Sequence, residues 1–292
     1  MASFSSSNRM AHWVLRVSEL EKTWEFLKSV FGMVVIRHEE NDAACKITCN
    51  GKFDRPWSKT MMGFPQHTED KWYCLELTYN YGVKKYPTDG GIAAISVAVP
   101  DPASALDAAK KLGYEIATSG AIVGPDAYPY MPVAFPDSSR RKEPFMSVTI
   151  VVNDLVASKK WYAETLDMVC ISESDTEATM GYSVPSPTDT TYVILQQRPQ
   201  ESDAIVPGAH SGRLAISCPD VSKYYARFPE KQVLHELQIL DEPLGKLEIA
   251  IVADPDGFEL CLVTSAVFDP STRDAATWSD PDWDSRRKMG GK

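Results

Sequence analysis

The sequence predicts an α+β fold made of four βαβββ modules in tandem, arranged as two domains with curved mixed sheets. The first observation behind this prediction is a long internal repeat, because residues 12–20 recur at residues 147–155 after an offset of 135 positions. In both segments an apolar strand is followed by an acidic residue and a leucine, a pattern typical of the start of a helix. The second observation is a weaker pair of similar segments halfway along each unit, at residues 93–101 and 214–220. A repeat of this kind decides the architecture before local structure is considered.

Each module is expected to open with a strand, and the four strands begin near His12, Ile92, Val148 and Arg213. A helix follows: residues 19–31 and 154–166 carry apolar side chains at helical spacing after an acidic first turn. The modules are completed by short β-rich segments, among them residues 72–79, 192–197 and 247–252. A turn signature at residues 254–257 contains a glycine that can supply a positive φ between two such strands.

The domain limits follow from the repeat. We assign residues 1–137 to an N-terminal domain, residues 144–268 to a C-terminal domain and residues 269–292 to a tail. The polar, proline-flanked segment 136–144 is expected to be an exposed linker. The tail has no sustained period, so it is either frayed or docked through Trp278 and Trp283.

One module cannot close its sheet, so the modules must pair around a cavity. We expect the two modules of each half to pair with one another. For the module that completes the first pocket, however, both the second and the fourth module remain candidates.

Composition restricts the classes of partner. The chain has 292 residues, of which 43% are hydrophobic, with 30 Lys and Arg against 40 Asp and Glu, and a formal net charge of −10. Such a charge repels nucleic acids and anionic lipid surfaces. No stretch approaches the ~20 apolar residues of a membrane span. We therefore expect a soluble monomer or homodimer without nucleic-acid or membrane partners, located in the cytoplasm, with mitochondria as the alternative compartment.

The six cysteines are scattered along the chain without a Cys-x-x-Cys pair. Reduced thiols are therefore expected. Cys45 and Cys49 are close in sequence, but no second Cys/His pair follows at the spacing of a structural zinc site.

Strand alternation brings chemically useful side chains together. In the first strand His12 and Arg16 share one face, while the apolar residues between them face the other way. In the strand that follows Trp72, Glu76 and Asn80 also share a face. These side chains are expected to line one cavity, where a buried cation needs an anionic partner or ligand. From the residues alone, a His and a Glu on strands are more often a structural pair than half of a metal site.

Several motifs of the first module are specific. Together they resemble the glyoxalases of the vicinal-oxygen-chelate superfamily; they are Arg37-His-Glu-Glu40, Cys45, Cys49-Asn-Gly51, Trp57-Ser-Lys-Thr-Met61 and Glu76-Leu-Thr-Tyr-Asn-Tyr-Gly-Val83. The resemblance implies metal ligands at His12 and Glu76, and it implies that Arg16 and Asn80 hold a glutathione-type substrate. It also implies a divalent metal such as zinc, nickel, cobalt or manganese.

The resemblance further implies that another module supplies a second His and a second Glu, and that this Glu moves the substrate proton. At the His position the second module has Gly91 and the fourth has Arg213. At the Glu position the fourth module has Cys261, with Glu259 two residues away on the same strand face. Glu259 and Cys261 are therefore the catalytic candidates, and the ligand set is incomplete.

The predicted function is a glyoxalase-like protein that binds glutathione, a glutathione adduct or a related anionic thiol or carboxylate compound. Its metal site is expected to be degenerate, with weak or altered activity of the lactoylglutathione lyase type. The alternative is a non-catalytic binding or interaction scaffold of the same fold.

Overall fold

Residues 8–135, 141–182 and 190–289 are described in this computed structural model, and they form two eight-stranded sheets with helices packed against them. The first sheet takes its strands from the first and last modules. They are β1 (Arg9–Arg16), β2 (Val34–Asn41), β3 (Trp57–Gly63), β4 (Cys74–Asn80), β13 (Arg213–Cys218), β14 (Val233–Glu242), β15 (Gly245–Ala253) and β16 (Glu259–Thr264). Their order is β14-β15-β16-β13-β1-β4-β3-β2.

The second sheet takes its strands from the two middle modules. They are β5 (Ile92–Val99), β6 (Glu115–Ile116), β7 (Ile122–Val123), β8 (Pro129–Ala134), β9 (Phe145–Val152), β10 (Val169–Glu173), β11 (Glu177–Gly181) and β12 (Tyr192–Gln197). Their order is β10-β11-β12-β9-β5-β8-β7-β6. In both sheets two modules meet through antiparallel opening strands, β1 with β13 and β5 with β9.

The helices of the described residues are α1 (Leu20–Phe31), α2 (Pro102–Lys111), α3 (Leu155–Leu166), α4 (Val221–Tyr225), α5 (Ser265–Asp274) and α6 (Trp283–Met289). The two long predicted helices are confirmed. Asp101, Asp154 and Asp220 each stand at an N-cap and accept a hydrogen bond from a backbone N–H of the first turn. Helix α1 ends at Phe31 and is followed by the capping residue Gly32, which adopts φ 69°. Glycine takes this left-handed conformation at little steric cost, and its backbone N–H binds carbonyls of the last helical turn.

The α+β fold of four tandem modules is confirmed, but the expected pairing within each half is wrong. The first module pairs with the fourth, and the second with the third. The four opening strands are alike in sequence, so local pattern cannot choose among them. Long-range contacts join the modules that do pair: Trp13 Nε1 in the first module donates to the carbonyl of Ser211, directly before the fourth (3.0 Å). The limits 1–137 and 144–268 remain a prediction, since residue 137 lies outside the described residues.

The linker also differs from expectation. Residues 136–140 lie outside the described part of the chain, but Arg141 is buried and donates to the carbonyls of Glu143, Phe145 and Thr190. Arg141 is therefore an anchor for the segment that enters β9, because its guanidinium offers enough donors for three carbonyls at once.

The C-terminal segment is docked where the structure describes it. The backbone N–H groups of Thr277 and Trp278 donate to the carbonyl of Ile36, and the ring of Trp283 packs against Trp24 at 5.0 Å between centroids. Helix α5 was not predicted. It follows directly from β16 and lies against the first sheet.

None of the described helices is long and apolar enough to cross a membrane.

Candidate active site

A cavity of about 430 Å³ lies between the first and fourth modules. All eight strands of the first sheet contribute to its wall, and helix α5 closes one side through Val267, Phe268 and Thr272. The fourth module supplies mostly aliphatic side chains, whereas charged groups cluster where β1, β2, β3, β4 and β13 meet. These groups are His12, Arg37, Glu39, Lys59, Glu76 and Arg213, and Glu242 of β14 also lines the wall.

The predicted pair His12 and Glu76 lies at this polar end. Nε2 of His12 is 3.3 Å from Oε2 of Glu76, and both side chains line the cavity. The other carboxylate oxygen of Glu76 accepts a hydrogen bond from the hydroxyl of Thr78 (2.8 Å). As predicted, the alternate residues Trp13 and Leu15 of β1, and Val17 directly after it, lie in the hydrophobic core.

A second carboxylate, that of Glu69, stands behind the imidazole. Oε1 of Glu69 is 2.9 Å from Nδ1 of His12, and Oε2 accepts from Nε and Nη2 of Arg37 at 3.2 and 2.9 Å. The carboxylate of Glu69 is fully buried. Burial opposes ionisation, but Arg37 and His12 outweigh it and hold the pKa of Glu69 well below its usual range. Sequence patterns missed Glu69 because it lies in the loop between β3 and β4.

A second ion cluster joins the two modules. Glu259 Oε2 accepts from Nη2 of Arg16 (3.1 Å) and from Nη2 and Nε of Arg213 (2.8 and 3.0 Å). Nη1 of Arg16 donates to the carbonyl of Ala209 at 2.9 Å. Burial of Glu259 favours the neutral acid, but Arg213 and Arg16 keep its pKa below the usual value. This carboxylate is therefore an ion-pair partner and a weak proton acceptor.

Asn80 is fully buried beside this cluster. Its carbonyl oxygen accepts from Asn50 Nδ2 (2.8 Å), and its own amide donates to the backbone carbonyl of Asn50 and to the Tyr86 hydroxyl. The same loop covers Arg16, because a Cβ placed on Gly51 would stand 3.0 Å from Nε of Arg16.

The predicted ligand anchors thus occupy a different position from the predicted metal ligands. Arg16 is 1% exposed and Asn80 is fully buried, and neither belongs to the cavity wall. Both are engaged by groups of the chain itself. Their role in ligand capture remains a prediction, and it requires rearrangement of Glu259 and of the loop that carries Gly51.

Strand register identifies what stands opposite His12 and Glu76. Val14 pairs with Glu76 across β1 and β4, and Ala215 pairs with Cys261 across β13 and β16. Arg213 and Cys261 therefore occupy in the fourth module the places that His12 and Glu76 occupy in the first. Gly91 belongs to the other half of the fold, directly before β5. Burial raises the pKa of the Cys261 thiol to about 11.

Lys59 is a further cation of the cavity that sequence reasoning left without a role. Its ammonium lies 3.6 Å from Oε2 of Glu39. The other oxygen of this carboxylate, Oε1, contacts Nη1 of Arg37. Burial lowers the pKa of Lys59, so its positive charge is held less firmly than that of a surface lysine.

The expectation that all cysteines are reduced thiols is wrong at one pair. Cys45 and Cys49 form a disulfide, with Cα atoms 5.5 Å apart. Cys49 lies at the edge of the cavity, in the loop that covers the Arg16 cluster. The two cysteines are four positions apart in the sequence, and this spacing did not predict a disulfide.

His12 and Glu76 fit part of a metal centre. Two ligands bound at ~2.1 Å around a tetrahedral ion stand roughly 3.4 Å apart, and the observed separation is 3.3 Å. No group of three or more His, Cys, Asp and Glu side chains is arranged for one metal ion within the described ranges. The residues therefore match two protein ligands of a divalent ion, and further positions are left to water or to a ligand.

The sequence profile described as "Glyoxalase/Bleomycin resistance protein/Dioxygenase superfamily" matches residues 9–121 and 145–262. The chain belongs to this superfamily. Among curated relatives of the superfamily, the chain is 34% identical over 278 residues to glyoxalase domain-containing protein 4 of Mus musculus, covering 90% of this chain and 87% of the relative. It is 31% identical over 263 residues to glyoxalase 1 of Caenorhabditis elegans, covering 87% and 88%.

Solved structures of the superfamily share the architecture. A crystal structure of a glyoxalase I mutant from Zea mays matches with a TM-score of 0.74 and 25% identity, covering 91% of this chain and 97% of that one. The predicted resemblance to the glyoxalases is confirmed by these matches. Within that family the first-module motifs resemble those of glyoxalase domain-containing protein 4, and the 34% identity agrees with this.

Proposed function

We propose that this protein binds glutathione, a glutathione adduct or a related anionic small molecule in the cavity between its first and fourth modules. The observation that carries the proposal is the pair His12 and Glu76, set 3.3 Å apart at the polar end of a cavity that also presents Arg37, Lys59 and Arg213. Cationic side chains in a partly enclosed cavity attract and orient anionic groups. The relationship to proteins named glyoxalase supports the glutathione class of ligand.

The side chains at the polar end of the cavity have two different roles. His12 and Glu76 would hold a divalent ion such as zinc, nickel, cobalt or manganese, and a bound ion would polarise an oxygen atom of the ligand. Lys59 and Arg213 attract the ligand's negative charge, and the aliphatic wall contributed by the fourth module contacts its apolar part. A ligand carboxylate that reached Arg16 and Asn80 would have to replace Glu259 between the two guanidinium groups.

Isomerisation of a hemithioacetal requires a base that moves a proton between adjacent carbons. Positioned general-base catalysis accelerates such steps by roughly 10²–10⁴-fold. Cys261, with a pKa raised to about 11, holds its proton near neutral pH, and Glu259 is tied to two arginines. We therefore propose weak or altered lyase activity at a degenerate metal site.

The metal test compares purified wild type with His12→Ala, Glu76→Ala and the control His235→Ala, whose histidine lies on β14 away from the cavity wall. Zinc or cobalt titrated by calorimetry should bind wild type and the control, and binding should be lost in the other two variants. Equal binding by all four proteins would contradict the assignment of His12 and Glu76.

The ligand test titrates S-methylglutathione into zinc-loaded wild type and Lys59→Ala. Weak binding that decreases in the variant supports capture in the cavity. A parallel isomerase assay with the methylglyoxal–glutathione hemithioacetal and zinc, nickel or cobalt should show no turnover or very slow turnover. Robust metal-dependent turnover would show that another carboxylate completes the site.

A second candidate function is a binding scaffold without catalysis. The observation in its favour is that Arg213 and Cys261 stand where a second His and a second Glu would complete the ligand set. Absence of both metal and S-methylglutathione binding would support this candidate over the first.

A further inference from the structure

Glu69 has no part in the predicted site, yet it is a fully buried ionisable group beside it. Its carboxylate is fully buried and does not line the cavity. It stands on the far side of the His12 ring from Glu76, since it contacts Nδ1 whereas Glu76 faces Nε2. The imidazole is therefore held between two carboxylates, one inside the protein and one at the cavity.

Three contacts fix the geometry of Glu69. One oxygen meets Nδ1 of His12 at 2.9 Å, and the other accepts from two nitrogens of Arg37 at 3.2 and 2.9 Å. A carboxylate that is paired with a guanidinium accepts hydrogen bonds and donates none. Nδ1 of His12 must therefore be the donor in its contact with Glu69.

The position of the proton on Nδ1 determines the state of the other nitrogen. In a neutral ring only one nitrogen carries a proton, so Nε2 presents its lone pair. That lone pair lies 3.3 Å from Oε2 of Glu76, inside the cavity. Two electron-rich atoms at this separation repel each other unless a proton or a metal ion lies between them, and a metal ion can take the place of the proton. The arrangement is therefore suited to a metal ion, and histidine ligands of metals commonly donate their other N–H to a carboxylate.

Arg37 keeps Glu69 in place from the opposite side. Besides its two bonds to Glu69, its remaining Nη atom contacts Glu39, which lies at the cavity. Glu39 thus offers a matched comparison, because it is a second carboxylate on the same guanidinium that does not contact His12.

We propose that Glu69 is a positioning residue that fixes His12 in the Nδ1–H tautomer and so directs Nε2, together with Glu76, towards a bound divalent cation. This inference deepens the proposed function and rests on its assignment of His12 and Glu76 as metal ligands. Glu69 itself does not touch the ligand, and its effect is transmitted through the ring of His12.

The first test is a ¹⁵N NMR measurement of the histidine tautomers in metal-free wild type, at an alkaline pH above which the His12 signal no longer changes. The His12 signal, assigned by its loss in His12→Ala, should report a proton on Nδ1. A proton on Nε2 alone would overturn the proposal without recourse to any variant of Glu69.

The second test compares Glu69→Gln with Glu39→Gln. The amide of Gln can donate to Nδ1, which would transfer the ring proton to Nε2, whereas Glu39→Gln removes a partner of Arg37 and leaves His12 untouched. Affinity for Co²⁺ or Zn²⁺, measured by calorimetry and by the Co²⁺ absorption spectrum, should fall about 10–100-fold in Glu69→Gln, the effect typical of removing a carboxylate that accepts a hydrogen bond from a metal-binding histidine. Glu39→Gln removes the same unit of negative charge but keeps the contact of Glu69 with His12, so it should lose clearly less affinity than Glu69→Gln.

The outcomes separate the two proposals. Unchanged tautomer and affinity in a folded Glu69→Gln would overturn the role of Glu69. If wild type binds neither metal but shows the Nδ1–H tautomer that Glu69→Gln reverses, the metal assignment fails while the positioning role stands. Should Glu69→Gln not fold, Glu69→Asp keeps the charge and shortens the reach, and the wild-type tautomer still decides the question.

Discussion

Replacement of Glu259 by alanine should destabilise the protein, because it removes the only carboxylate placed between Arg16 and Arg213 in the described cluster. The side chains of Arg16 and Arg213 are 2% and 4% exposed, whereas that of Glu259 is 24% exposed. Breaking a buried ion pair by removing one partner costs about 3–5 kcal/mol. Because water reaches Glu259 in part, we expect a loss near the lower limit, about 3 kcal/mol.

This loss should be visible as a lower melting temperature. At about 2 °C per kcal/mol for a chain of this size, the expected decrease is about 6 °C. The control is Glu236→Ala, an exposed glutamate on β14, which should change stability by less than about 0.5 kcal/mol. The measurement is thermal unfolding followed by circular dichroism at low ionic strength.

A chemical-rescue experiment addresses the same cluster. A small carboxylate such as formate should enter the gap in Glu259→Ala and raise its melting temperature more than an equal concentration of chloride does. Ligands that bind only the folded state stabilise it by mass action. A melting temperature within 1–2 °C of wild type, estimated with the same slope, would refute the view that Glu259 neutralises both guanidinium groups.

Two further outcomes follow from local geometry. Gly51→Ala should lower the free energy of unfolding in urea more than Gly113→Ala does. Both glycines have positive φ (82° and 87°), but only at position 51 would a Cβ meet Arg16. Equal losses of about 1 kcal/mol would contradict the predicted crowding. The thiol of Cys261 should react with iodoacetamide far more slowly at pH 8 than that of exposed Cys170, and its rate should rise with pH towards its pKa of about 11; rapid labelling of Cys261 near neutral pH would contradict this.

The sequence predicted the elements of the fold better than their arrangement. Amphipathic spacing and aspartate caps are local signals, so α1 and α3 could be placed to within a residue or two. The partner of β1 depends on contacts across hundreds of residues, such as that of Arg16 with Glu259, and no local pattern encodes it. Helix α5 was missed because its sequence contains Pro270 and follows a strand without a break.

The candidate site shows the same division. Alternation along β1 and β4 placed His12 and Glu76 on one face, and the structure brings them together. Glu69 was missed because a loop has no period from which a facing direction can be read. A buried Arg16 with an anionic partner was expected, but its pairing with Glu259 could not be foreseen, since that carboxylate comes from the fourth module.

The pairing of the first module with the fourth has a consequence for how the cavity comes into being. Arg16 and Glu259 are 243 positions apart in the chain, and β1 finds its neighbour β13 only after the two middle modules have been made. During synthesis from the N-terminus, the second sheet, made of the two middle modules, can form while the first sheet still has an open edge at β1. Contacts of such long range form slowly, and an unpaired edge strand is open to association with other chains. The wall of the cavity is therefore complete only when the last strand, β16, has been added to the sheet.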